Sequence, residues 1–142
     1  MSESKVKSLA RAMSMLERMA QINKPLSLKE IAETTGNAKS TVHDAMSTLR
    51  EFGVIEQLAS NGKYRLGIKL FEWGNLVSKS WEILDIARPY MEDIARGTGK
   101  PVSLARFDNG HVLYIDHVDA PNTAHMVAAV GTRIPCHCSA WG

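Results

Sequence analysis

Residues 26–53 read LSLKEIAETTGNAKSTVHDAMSTLREFG, and the fold turns on how this stretch is parsed. Ser27 stands three residues before Glu30, the spacing of a capping box in which hydroxyl and carboxylate each take a backbone donor of the other. Leu28, Ile31 and Ala32 then share one side, and Gly36 offers a left-handed stop, so a short first helix is predicted. With Asn37 in the N-cap position, Val42, Ala45, Met46, Leu49 and Phe52 recur at i, i+3, i+4 and i+7 until Gly53. Two short helices thus flank a tight turn.

Upstream, Leu9, Ala12, Met13, Leu16, Met19 and Ala20 form a helical stripe over residues 8–21, broken by Asn23, Lys24 and Pro25. Downstream, VIEQL (54–58) and KYRLG (63–67) are rich in strand formers and are joined by ASNG, whose Asn61-Gly62 pair signals a hairpin. Helix, helix, turn, helix and hairpin is the order of a winged helix-turn-helix.

The stretch IKLFEWGNLVSKSWEIL (68–84) reads as a connecting helix, with a bend allowed at Gly74. DIARPYMEDIARG (85–97) reads as a further helix with Pro89 in its first turn, where backbone donors lack partners anyway. VSLARF (102–107) and HVLYIDHV (111–118) read as strands about an Asp108-Asn109-Gly110 turn, and HMVAAVG (125–131) as a third. The fold class is α+β. The expected organisation is a winged helix-turn-helix over 1–67, a linker helix over 68–84, and a partial second domain over 85–142.

Bulk properties are compatible with this parsing. The 142 residues, 44% of them hydrophobic, can build one ordinary domain or two small ones. No apolar run has the length of a membrane span and the first residues lack a signal peptide, so a cytoplasmic protein without membrane contact is expected. Cys136 and Cys138 are too few and too close for a disulfide framework. Lys and Arg exceed Asp and Glu by 11 to 8 in residues 1–74 but fall short, 6 to 7, in residues 75–142. This mild asymmetry permits a nucleic-acid-binding first half without demonstrating it.

If Val42, Ala45, Met46 and Leu49 point inward, the third helix shows Lys39, Ser40, His43, Asp44, Ser47 and Arg50 outward. In a helix-turn-helix the start of this helix enters the major groove, where Lys39, Ser40, Thr41 and His43 could donate to phosphates or base edges. Lys63 and Arg65 in the wing supply a second basic set. Taken singly, each of these residues reads better as ordinary helix surface, and Ser40 and Thr41 as helix-start residues. The combination of helix order, short turn and basic hairpin is far more specific.

Other constellations carry less. Cys136, His137 and Cys138 with His111, His117 and His125 could be gathered into a zinc site, but Cys-x-Cys is not the usual spacing, and no metal or cofactor is expected. Cys136 or Ser139 beside His137 is the only nucleophile and base pair, with nothing to orient the imidazole, so no catalytic residues and no enzyme activity are expected. Phe71, Trp73 and Trp81 fit dimer packing better than ligand stacking.

The sequence resembles the isocitrate lyase regulator (IclR) family of transcriptional regulators. The resemblance rests on SLARAMSMLERM, LSLKEIAETTGNAKSTVHDAMSTLREFGVIE, NGKYRLGIKLFEWG, IARPYMEDIARGTGKPVSLARFDNGHVLYIDHV and VGTRIPCHCSAWG. It implies a homodimer or tetramer whose winged domains bind a roughly palindromic double-stranded DNA operator. It also implies a GAF-like α/β domain, here only its first part, that senses a small organic effector such as a carboxylic or aromatic acid. The positions implied in DNA contact are Arg11, Lys39, Ser40, Thr41, His43, Lys63 and Arg65, with Asp44 and Ser47 on the same helix face. Asp44 departs from the family, which commonly has Arg there, so it accepts from a cytosine amino group, pairs with a cation or weakens binding. Ala140 and Trp141 match positions whose backbone can meet the effector. Relative to the family the chain stops early, and the alternative reading is a truncated interaction module that dimerises with full-length relatives without sensing an effector.

Overall fold

The capping box forms. The Ser27 N–H donates to Glu30 Oε2 at 2.7 Å, and the Glu30 N–H donates to Ser27 Oγ at 3.2 Å. Glu30 also lies 3.3 Å from Lys63 Nζ. Its carboxyl is lowered from 4.5 to about 2, first by the Ser27 backbone donor, then by the Ser27 side chain and Lys63.

The computed structural model describes residues 6–120 and 129–138 and divides into two units, Met1–Val77 and Ser78–Gly142. In the first, α1 (Lys7–Ile22), α2 (Leu28–Thr35) and α3 (Lys39–Glu51) precede β1 (Ile55–Gln57), β2 (Tyr64–Leu66) and α4 (Ile68–Lys79). Met15 and Met19 of α1, Ile31 and Ala32 of α2, Val42 and Met46 of α3, Ile55, Tyr64 and Leu26 make one buried cluster. The strands pair antiparallel with Glu56 opposite Arg65. Leu26 and Tyr64 exchange backbone hydrogen bonds of 2.9 and 2.7 Å, so the segment between α1 and α2 lies along β2.

Several details differ from the sequence reading. The buried stripe of α1 runs through Met15 and Met19, while Leu9, Met13 and Ala20 are exposed. Phe52, expected inside, is 68% exposed at the C-cap of α3, and Gly53 after it takes a left-handed φ of 70° that turns the chain. The N-cap of α3 is Ala38 and not Asn37, whose amide instead donates to the Thr35 carbonyl.

The helix pattern between 68 and 97 is also divided differently. Helix α4 continues through Gly74 and stops at Lys79, and α5 (Glu82–Thr98) begins three residues earlier than read. Pro89 therefore lies inside α5, where it deprives the Asp85 carbonyl of its helical donor. Both residues are exposed, so water can serve that carbonyl.

In the second unit β3 (Val102–Asp108), β4 (His111–Val118) and β5 (Arg133–Pro135) form an antiparallel sheet in the order β3-β4-β5, followed by a 3₁₀ turn over Cys136–Cys138. The β3/β4 hairpin closes through Asn109 and Gly110, with φ of 47° and 76°, as the Asn-Gly pair requires. Helix α5 packs on β3 and β4, burying Met91 and Ala95. Of the expected strand at 125–131, residues 125–128 lie outside the described residues. Residues 130–131 form a turn leading into β5, which the sequence reading did not anticipate.

Two predictions follow from the first unit. Gly67 is buried, donates to the Val54 carbonyl at 2.8 Å, and has no room for a side chain: an added Cβ would collide with the Gly53 carbonyl oxygen. Gly67→Ala should lower stability in urea denaturation by about 1–3 kcal/mol, the usual cost of overpacking against backbone. The second concerns acid. Because Glu30 is held below its ordinary value, its contribution is intact above pH 4.5 and is lost as pH falls toward about 2. Glu30→Gln should flatten the acid-induced loss of stability in that window, measured by urea midpoints at successive pH values.

Candidate nucleic-acid interface

Burial of Val42 and Met46 turns the opposite side of α3 to solvent. Lys39, Ser40, His43 and Asp44 are exposed there, with Thr41 and Ser47 half-buried at the edge. Ala38 offers no side-chain oxygen to the first turn, so the leading N–H groups of α3 are left for water or an anion. Lys39 and Ser40 stand at that end. This part of the expected set is brought together.

Asp44 is 84% exposed, and its Oδ1 lies 3.5 Å from His43 Nδ1. It also lines a mostly apolar groove between α1 and α3 together with Leu9, Ala45, Leu49 and Arg11. Arg11 thus sits near the Asp44 side of α3, and no ion pair joins the two among the described residues.

The wing cations have partners already. Arg65 donates twice to Glu56 Oε2, at 2.8 and 3.0 Å, across the paired strands, and this keeps the Glu56 carboxyl below its ordinary value. Lys63 pairs with Glu30. The wing is therefore close to neutral, and any phosphate must compete for its cations.

The sequence reading missed the residues that hold the wing to α3. Arg50 Nη1 donates to Gln57 Oε1 at 2.8 Å, and Gln57 Nε2 donates to the Gly62 carbonyl at 3.0 Å, so the last turn of α3 is joined to the wing tip. Asn61 Oδ1 accepts from the Lys63 N–H, shaping the tip itself. The cross-strand Glu56–Arg65 pair was legible from a matched hairpin register. Contacts from Glu30 to Lys63 and from Arg50 to Gln57 had no such signal.

The second unit holds the remaining expected residues. His117 lies between Ser103 Oγ (3.2 Å) and Asp119 Oδ1 (2.8 Å), and His111 contacts the Asn109 carbonyl oxygen. Among the described residues no group of three or more His, Cys, Asp or Glu is placed to hold a metal ion. Trp81, read as a packing aromatic with Phe71 and Trp73, is half-buried and lies under Arg106, whose guanidinium carbon is 5.8 Å from the ring centre. Ala140, Trp141, Ser139 and His125 lie outside the described residues. No helix among the described residues is long and apolar enough to cross a membrane.

Comparison with known proteins gives two family matches: a model described as the IclR helix-turn-helix domain over residues 8–59, and one described as the bacterial transcriptional regulator IclR C-terminal over residues 76–142. Among curated relatives, the chain is similar to the HTH-type transcriptional regulator XynR of Escherichia coli (strain K12). The two are 33% identical over 137 residues, covering 96% of this chain and 54% of that protein. Among solved structures it is similar to an IclR family transcriptional regulator from Brucella abortus, with a TM-score of 0.79, 28% identity, and coverage of 95% of this chain and 52% of that one. In fold it is similar to an IclR homolog from Microbacterium hydrocarbonoxydans complexed with 4-hydroxybenzoate, with a TM-score of 0.72, 24% identity, and coverage of 93% and 55%. The chain spans about half the length of the curated relatives it matches.

Proposed function

The chain belongs to the IclR family of bacterial transcriptional regulators, and from that premise we propose that it binds a specific, roughly palindromic DNA operator through α3 and the wing. The observation that carries this reading is the outward face of α3, where Lys39, Ser40 and His43 are exposed beside an N-terminus without a side-chain cap. Lys39 and Arg11 meet backbone phosphate, Ser40, Thr41, His43 and Ser47 reach phosphates or base edges, and Asp44 selects against or for particular bases. Lys63 and Arg65 add wing contacts after exchanging partners. The protein acts in the cytoplasm and carries out no catalytic step.

Selection of bound sites from a random duplex library tests the proposal. Enrichment of one sequence is expected, with affinity for it about 10³-fold or more above random DNA and falling steeply as salt rises. A library that yields no enriched site at moderate salt overturns it.

We further propose that a small organic effector acting on the second unit modulates this binding, with Ala140 and Trp141 contributing backbone contacts. Aromatic acids are the first class to try, since a protein of this fold was solved with 4-hydroxybenzoate. The selected duplex provides the assay: affinity should shift on addition of the acid.

Self-association through α4 completes the proposal. Ile68, Phe71, Trp73, Leu76 and Val77 are all exposed, and α4 buries none of its residues. An exposed helix surface carrying this many large apolar side chains needs covering. A second copy would supply that cover and match the two halves of a palindrome. The same surface would also accept a longer relative. Leu76→Asp should move the chain from dimer or tetramer toward monomer in sedimentation, and an unchanged mass would remove α4 from the interface.

A further inference from the structure

Lys63 and Glu30 come from elements far apart in the chain, the wing and the start of α2. Lys63 Nζ lies 3.3 Å from Glu30 Oε2 and 3.4 Å from Oε1. The acid is not a swinging surface carboxylate, because Oε2 also accepts the Ser27 N–H at 2.7 Å. Its position is fixed by the capping of its own helix. Both side chains remain partly open, so the ammonium can be approached by a second anion while Glu30 stays in place. Arg65 differs in that its acid, Glu56, lies on the facing strand of the same hairpin.

A phosphate that reaches Lys63 must share it with an anchored carboxylate. On DNA where α3 finds no matching bases, the exchange replaces one ion pair by another and gains little counterion release. On a matched site, α3 holds the wing against a particular phosphate, and the exchange is favoured by proximity. We propose that Glu30 is a specificity-determining residue, competing with backbone phosphate for Lys63 and thereby suppressing wing contacts to nonspecific DNA. This rests on the reading of the chain as a DNA-binding regulator.

Glu30→Gln separates the two roles of the residue, since Gln can keep the capping acceptor while losing the charge. In the full chain, this change should steepen the salt dependence of binding to random-sequence duplex by about 0.9 in log–log slope, the value of one added phosphate contact. The ratio of operator to random affinity should fall. In a Lys63→Gln background, Glu30→Gln should do neither. Lys63→Gln alone, which leaves the cap untouched, should reduce the random-duplex slope by much less than 0.9. Equal steepening with and without Lys63 would show that Glu30 acts only as general negative charge and would overturn the assignment. So would an unchanged slope and ratio in Glu30→Gln when the parent chain binds DNA normally. A parent chain that binds no duplex in a salt-dependent way would instead remove the DNA-binding reading on which the assignment stands.

Discussion

Three apolar side chains, Met15, Ile31 and Met46, are each fully buried at the meeting point of α1, α2 and α3. Their packing fixes the rotation of α3 about its own axis, since a helix can turn only one stripe toward a core. With Val42 and Met46 inward and Ala45 packed beside them, His43 and Asp44 are left to face solvent. Removing one of these methionines would loosen the rotation as well as cost burial free energy, so recognition and stability draw on the same contacts.

Once that face is set, charge governs what it can do. The net charge of the sequence is +2, yet the cations of the wing are matched by acids at short range. A surface rich in paired charge has a weaker far field than its Lys and Arg content implies. Asp44 fits this arrangement: it sits beside His43 and near the side of α3 that looks toward Arg11. Asp44 is thus one of several carboxylates that moderate the positive charge of the first unit.

Local chemistry made much of the fold legible. Ser27 with Glu30 located the start of α2, Gly36 its end, and Asn109-Gly110 the turn of the second hairpin, because each depends on residues within a few positions. Periodicity alone was less secure. In α1, apolar residues occupy more of the circumference than the core needs, and Met15 rather than Leu9 or Met13 is buried; only the elements packed against α1 decide between them. Pro89 was read as marking a helix start, whereas exposure of the Asp85 carbonyl allows it inside α5. In the candidate site, the exposed residues of α3 were legible from the stripe opposite them. The Arg50–Gln57–Gly62 chain and the Glu30–Lys63 pair were not, since they join residues that only the folded core brings together.

The exchange of hydrogen bonds between Leu26 and Tyr64 has a bearing on folding. It closes a loop that contains all of α2, α3 and β1, so β2 meets this partner only when segments far apart in the chain come together. Contacts so far apart in sequence add loop-closure entropy and slow the search. In return they bind hairpin and helices into one cooperative unit, with β2 paired to β1 on one side and bridged to Leu26 on the other. Opening of the wing and unfolding of the helices should therefore share a free energy, and the Tyr64 amide would report in hydrogen exchange on the whole unit and not on a frayed hairpin.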